Sequence, residues 1–310
     1  MTTLILHHYP QSPFAEKARL MLGLKGLAWE SVTIPRVMPK PDLVALTGGY
    51  RKTPVLQAGA DVYCDTALIA RRLEHERPDR PLFPRGLEAA AAAVAHFADS
   101  VLFQHAVALN FQPDALAARF KGVPEEHQRA FAEDRRALFS GGSAARLPIE
   151  VARPQWHTFL ARFDRQLRDS AFLLGAEPSI ADLAAYHTIW FVAGNPMLAS
   201  SLEPFAALRA WMARIAALGH GHATELSSGE ALQRAHASTP EPLVDNDFVD
   251  ANGLRAGRRV RVAATDYGVD AVEGELAWHD AESLAIDRDD ARAGRVRVHF
   301  PRVGFRVDAA

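Results

Sequence analysis

One stretch near the start limits what this chain can become: His8–Leu22, HYPQSPFAEKARLML. An apolar, strand-like run, Thr3-Leu4-Ile5-Leu6, ends just before it. The chain then turns through Pro10 and Pro13 into a segment whose apolar residues Phe14, Ala18, Leu20, Met21 and Leu22 recur at helical spacing. Pro13 suits a first helical turn, where its missing N–H needs no partner, and Ser12 before it is placed as the N-cap. The Ser12 hydroxyl and the free N–H groups of the helix start then converge on one spot. That spot favours an anion, and a thiolate is one that such a turn can hold.

The rest of residues 1–80 continues the alternation. Strands are expected near 3–8, 28–34, 54–58 and 61–64, and helices near 13–25, 41–47 and 65–77. The order β-α-β-α-β-β-α, closed by a hairpin through Gly59-Ala60-Asp61, is the thioredoxin-like plan. Pro78, Pro81 and Pro84 mark a linker. From 86 to 222 the pattern is helical, with segments near 89–110, 114–120, 125–139, 154–169, 180–192 and 203–218. Ser179 and Asp182 have capping-box spacing, the carboxylate reaching back to the Ser179 N–H. Residues 223–242 read as a polar, proline-containing connector. From 243 to 310 five short β-branched runs (260–262, 272–276, 284–286, 296–300 and 303–307) predict a small all-β module that resembles an SH3-like barrel. The fold class is therefore α+β multidomain, in three parts: 1–80, 86–222 and 243–310.

Composition narrows the chemistry. A formal charge of -2 and a pI near 6.7 carry no footprint for nucleic acid or an anionic membrane. Cys64 is the single cysteine, so no disulfide framework or cysteine zinc cluster can form. The histidines at 96, 105, 127 and 157 lack metal-ligand spacing, and no metal is expected. No segment is read as reaching transmembrane length, and a cytoplasmic protein is the expectation. Arginine outnumbers lysine strongly, and with the abundant alanine this suggests a GC-rich bacterial genome.

Four features in order make residues 3–222 resemble the cytosolic glutathione S-transferase superfamily, with an N-terminal part most similar to the omega and tau classes. Ser12-Pro13-Phe14-Ala15-Glu16-Lys17-Ala18-Arg19 stands where omega enzymes have Cys-Pro-Phe and tau enzymes Ser-Pro-Phe. The resemblance implies that Ser12 hydrogen-bonds the glutathione sulfur, with Phe14 beside it, and lowers the thiol pKa. A drop of about two units is worth roughly 2.7 kcal/mol. Lys52-Thr53-Pro54-Val55-Leu56 matches the family's cis-proline before the third strand, leaving the Thr53 main chain to pair with the cysteinyl unit. Asp65-Thr66 implies a site for the γ-glutamyl end, Asp65 for the ammonium and Thr66 for the carboxylate. Lys40-Pro41 implies a contact to the glycyl carboxylate.

Departures from the family pattern shape the expected reaction. Ser12 replaces the omega cysteine and Ala15 the second glutaredoxin-like cysteine, so a dithiol cycle at this motif is excluded. Cys64 reads as a small buried residue at a strand end. Tyr9, at the end of the first strand, is an alternative donor to the sulfur. Tyr9, Phe14, His105, Phe111, Tyr186 and Trp190 are candidates for the wall of a pocket for an electrophile, and about a third of them are expected to line it. The leading reading is a glutathione transferase, with glutathione as co-substrate, a hydrophobic electrophile as partner and a homodimer implied by the family. A glutathione-dependent isomerase or lyase needs the same thiolate. A transferase-like binding or scaffold protein without turnover, docking through the C-terminal module, is the alternative.

Overall fold

The structure, a computed structural model, describes residues 2–144, 146–244 and 246–310. The N-terminal elements are β1 (Leu4–His8), α1 (Pro13–Lys25), β2 (Ala28–Thr33), α2 (Pro41–Thr47), β3 (Val55–Ala58), β4 (Asp61–Cys64) and α3 (Thr66–Glu76). Ser12 caps α1 with Pro13 in its first turn, and Gly26 ends it in the left-handed conformation. β1 pairs parallel with β2 and antiparallel with β3, which pairs antiparallel with β4. This is the expected thioredoxin-like fold.

Strand periodicity divides the interior between the two faces of this sheet. Leu4, Leu6, Leu56 and Tyr63 point to the side of α1, α3 and the helical domain. Ile5, Val55, Val62 and Cys64 point to the opposite side, against α2. The helical domain comprises α4 (Glu88–Phe97), a π-helical turn (Ala98–Leu102), α5 (Phe103–Asn110), α6 (Pro113–Arg119), α7 (Glu125–Leu138), α8 (Ile149–Gln166), α9 (Ile180–Ala193) and α10 (Ala206–Ala216). Asp182 accepts from the Ser179 N–H at 3.0 Å, as its spacing predicts, and also from Leu173 N at 2.8 Å and Trp211 Nε1 at 2.9 Å.

Two expectations are corrected. The continuous helical run Glu88–Asn110, 23 residues, is long and apolar enough by length and composition to cross a membrane, contrary to the reading that no segment is. Here it packs on α8 and α9 as a core helix and carries Asp99, ion-paired to Lys17, at its middle. Nor is 223–242 merely a connector. It begins within β5 (His222–Glu225), which pairs parallel with β2, and contains α11 (Ser228–His236). Ser227 and Glu230 form a capping box on α11, and its apolar stripe Ala231, Leu232 and Ala235 covers the α2 side of the sheet.

The expected strand-rich C-terminal region is present as β6 (Arg259–Ala264), β7 (Val272–His279), β8 (Ser283–Asp290), β9 (Gly294–Pro301) and β10 (Phe305–Ala309). Its hydrogen bonding passes from β9 in parallel to β4, giving one ten-stranded sheet in the order β10-β6-β7-β8-β9-β4-β3-β1-β2-β5. Val260, Val262, Leu276, Ile286 and Val298 share a core with Ile5, Val32, Val55 and Val62. Both edges of the N-terminal sheet are thus covered by chain that follows the helical domain, and the edges of the combined sheet become β5 and β10.

Candidate active site

The end of β1 and the start of β3, with the starts of α1 and α3, meet the helices from α4 to α7 around a cavity of about 690 Å³. The loop between β6 and β7 and the turn before β10 supply part of its wall. Tyr9, Ser12, Phe14, Lys40, Thr53, Pro54, Asp65 and Thr66 all line it. Ordinary chain geometry brings them together, since the loops after β1, before β3 and after β4 open on the same end of the sheet.

Ser12 is 2% exposed. Its Oγ accepts from Ala15 N at 3.2 Å, and its own N–H donates to the Tyr9 carbonyl at 3.1 Å. The hydroxyl hydrogen has no acceptor among the described residues, so it can be donated into the cavity at the N-terminus of α1. The Phe14 ring lies 4.7 Å from both Phe103 and His187. Tyr9 presents its ring to Lys40, whose Nζ is 5.7 Å from the ring centroid.

Asp65 caps α3, accepting from Ala67 N at 2.9 Å. Its φ of 75° is the one left-handed value at a non-glycine among the described residues, a conformation that costs about 1–3 kcal/mol and concentrates at functional sites. Burial pushes the Asp65 carboxyl up, and nearby Asp99 adds to this. A cation bound there would reverse it. Thr66 Oγ1 accepts from the buried Lys17 Nζ at 3.2 Å, and Lys17 Nζ reaches Asp99 Oδ2 at 2.5 Å. Asp99 in turn accepts from His187 Nε2 at 2.9 Å. Burial opposes the Asp99 charge, but Lys17 and His187 outweigh it and hold the carboxyl low. His187 itself is pushed down by burial, consistent with a neutral ring donating through Nε2.

The Thr53–Pro54 peptide is cis, and the Thr53 main chain forms no backbone hydrogen bond among the described residues. Lys40 is 4% exposed and donates to Thr53 Oγ1 at 3.3 Å. Burial, reinforced by Arg135 and Arg51 against Asp134, lowers its pKa to about 8.

The other half of the cavity is aromatic and basic, with Phe111, Phe131, Phe139 and Phe191 beside Arg36, Arg119 and Arg135. The β6–β7 loop closes one side. Lys52 pairs with Asp266 at 2.5 Å and sits 4.3 Å from the Tyr267 ring, which packs 4.8 Å from Phe139. Gly268 N donates to the Leu138 carbonyl and Ala144 N to the Asp266 carbonyl. Gly142 has to be glycine here: φ is 76°, and a Cβ would lie 2.0 Å from that Asp266 oxygen.

Of the six residues proposed for the pocket wall, Tyr9, Phe14 and Phe111 line the cavity, half rather than the expected third. His105, Tyr186 and Trp190 do not. His105 is buried between the Val101 carbonyl and Gln155, Tyr186 packs on Trp211, and Trp190 packs on the main core. Each has the helical spacing of a core aromatic, and the core is where each is found. Cys64 is buried, its thiol pushed well up by burial, so its reactivity is suppressed. The sequence reading gave no role to Lys17, Asp99, Arg36, Arg119 or Tyr267. The π-helical turn around Asp99 breaks a regular helix at the site, but no local pattern signals it.

The description "Glutathione S-transferase, N-terminal domain" matches residues 6–81, and "Glutathione S-transferase, C-terminal domain" matches residues 71–214. A GST-like protein from Pseudomonas syringae is similar over 100% of both chains, at 48% identity and a TM-score of 0.85. A glutathione S-transferase from Rhodospirillum rubrum F11 shares 21% identity over 69% of this chain and 87% of its own, at a TM-score of 0.52. A glutathione S-transferase III in apo form shares 20% over 69% and 92%, also at 0.52. The last two share the fold alone. No protein with a curated description matches. The chain belongs to the cytosolic glutathione S-transferase superfamily. Its strand-rich C-terminal region lies within the full-length match to the Pseudomonas syringae protein.

Proposed function

We propose that this protein is a glutathione transferase that holds glutathione along the polar half of the cavity and an electrophile in the aromatic half. Asp65 takes the γ-glutamyl ammonium. The Thr66 hydroxyl and N–H take the neighbouring carboxylate, with Lys17 beside them. The Thr53 main chain pairs with the cysteinyl unit, and Lys40 binds the glycyl carboxylate. Ser12 donates its hydroxyl hydrogen to the sulfur, and the N-terminus of α1 adds its positive potential. The thiol proton leaves to solvent. The thiolate sulfur then bonds to the electrophilic carbon, and the leaving group departs with its electron pair. Positioning and thiolate stabilisation supply the acceleration.

The observation that carries this reading is the state of Ser12. Its oxygen is fixed by Ala15 N–H while its hydrogen is free, at a helix start that opens into the cavity shared with Lys40 and Asp65. Ser12 is assigned as the donor in preference to Tyr9 because its hydroxyl is held at the start of α1 by the Ala15 N–H. A homodimer would have to form away from the outer edge of β4, which is hydrogen-bonded to β9.

Thiolate absorbance of bound glutathione, titrated with pH, tests the assignment. The thiol pKa should fall by about two units in the wild type and return to near the free-thiol range in Ser12→Ala. An equal pKa in the two proteins would reject Ser12 as the stabilising group.

A further inference from the structure

Two guanidinium groups in the aromatic half have no carboxylate partner among the described residues. The Arg36 side chain makes no hydrogen bond or ion pair there, and its Nε is buried without a partner. It lies over Phe131 and Phe120, with Cζ 5.3 and 5.9 Å from the ring centroids. Arg119 donates through Nη2 to Asn110 Oδ1 at 2.6 Å and the Phe191 carbonyl at 3.1 Å, and its Nε is also buried without a partner. Its Cζ is 4.5 Å from the Phe191 centroid.

The acids nearby are already engaged. Asp134 is paired with both Arg51 and Arg135, and Asp266 with Lys52. Arg135 also donates to the Arg36 carbonyl at 3.1 Å, which fixes the loop that carries Arg36. Burial, with Arg36 adding repulsion, holds Arg119 below the ordinary guanidinium range. Two cations that repel one another are retained here against the cost of desolvating charge without a counter-ion. An anion placed between them would remove that cost. Because Lys40 is assigned to the glycyl carboxylate of glutathione, this pair is left for a second anion.

We propose that Arg36 and Arg119 form an anion-binding subsite, and that the second substrate is an aromatic electrophile bearing a carboxylate. A planar carboxylate matches guanidinium N–H groups presented beside phenyl rings, and Phe111, Phe131 and Phe191 supply apolar walls for the attached ring. The inference rests on the transferase reading in assigning Lys40 to glutathione and in calling the ligand an electrophile.

Binding is therefore measured first without turnover, on the full chain, by calorimetry with 2-naphthoate and its neutral counterpart 2-naphthamide. The wild type should bind the acid at least about tenfold more tightly than the amide, as a charge-assisted pair implies. Arg119→Met and Arg36→Met should each remove most of that preference, and Arg119→Lys should keep part of it. Binding of S-methylglutathione, on the opposite half, reports that each variant is folded. Equal affinity for acid and amide in the wild type, or an unchanged preference in both methionine variants, overturns the subsite. In turnover, 4-chloro-3,5-dinitrobenzoate should then exceed its carboxamide in kcat/KM by a similar factor, and the variants should lose that ratio. If naphthoate binds selectively and neither halide is turned over, the subsite stands and the transferase reading fails.

Discussion

The two halves of the cavity are built on different principles. The polar half is made from the ends of regular elements. Ser12 and Asp65 cap α1 and α3, Thr53-Pro54 leads into β3, and Lys40 precedes α2. Ser12 and Asp65 are held by capping geometry, and Lys17 and Lys40 are buried and hydrogen-bonded, so little reorganisation would be needed to receive the proposed tripeptide. The aromatic half is assembled from α5, α6, α7, α9 and a loop of the C-terminal strands, through long arginines and phenyl rings. The first half is specified by backbone position, the second by side-chain packing between segments far apart in the chain. Fixed chemistry is thereby joined to a pocket whose preference can change by substitution.

The difference predicts unequal responses to mutation. Ser12→Ala should lower kcat/KM by about 10²–10³, the usual cost of losing one preorganised donor to a developing or stabilised anion. Steady-state kinetics with saturating electrophile would show it. The variant also loses the α1 cap, worth about 1 kcal/mol, so its melting temperature should fall slightly as well. Asp65→Asn keeps the cap and removes the charge proposed to face the γ-glutamyl ammonium. The KM for glutathione should rise about 10–100-fold with kcat little changed. A fall in kcat alone would break the assignment of Asp65 to ground-state binding.

Lys40 gives a smaller effect with a definite sign. Its pKa of about 8 lies below the ordinary 10.5, so the ammonium is charged below pH 8 and neutral above it. S-methylglutathione, which has no thiol to titrate, should bind at least about tenfold more weakly at pH 9.5 than at pH 7, and Lys40→Met should reduce that dependence to the part contributed by the ligand's own γ-glutamyl ammonium. For folding the sign is opposite. The unfolded chain binds more protons between pH 8 and 10.5, so this group's contribution to stability improves as pH rises through that window. Smallest of all, Tyr267→Ala removes a ring that packs on Phe139 in the aromatic half. It should raise the KM of the second substrate about threefold and leave that of glutathione alone. An equal effect on both would mean the two halves are not separable.

The same contrast explains what could be read from sequence. Ser12-Pro13-Phe14, Thr53-Pro54 and Asp65-Thr66 are short patterns whose meaning is local, because a cap or a strand start is defined by its immediate neighbours. Arg36 and Arg119 are 83 positions apart, and nothing around either distinguishes a cavity-facing arginine from a solvated one. His105, Tyr186 and Trp190 show the converse, since helical spacing sends an aromatic residue inward without saying whether to core or cavity. The connector reading of 223–242 overlooked a signal that was present, the Ser227/Glu230 capping box ahead of the stripe Ala231, Leu232 and Ala235. β5, by contrast, is exposed along its length and gains its strand form from pairing with β2. Likewise β9 alternates legibly as a strand, but its parallel pairing with β4, with His299 bonded to the buried Asp61, depends on a tertiary meeting that no local pattern encodes.

The most direct test of the central claim is a crystal structure of the protein with S-hexylglutathione. The account predicts the sulfur within about 3.5 Å of Ser12 Oγ, the γ-glutamyl end at Asp65 and Thr66, and the hexyl chain running toward Phe111 and Phe131. A tripeptide bound with its sulfur remote from Ser12, or with the hexyl chain directed away from the aromatic half, would contradict it.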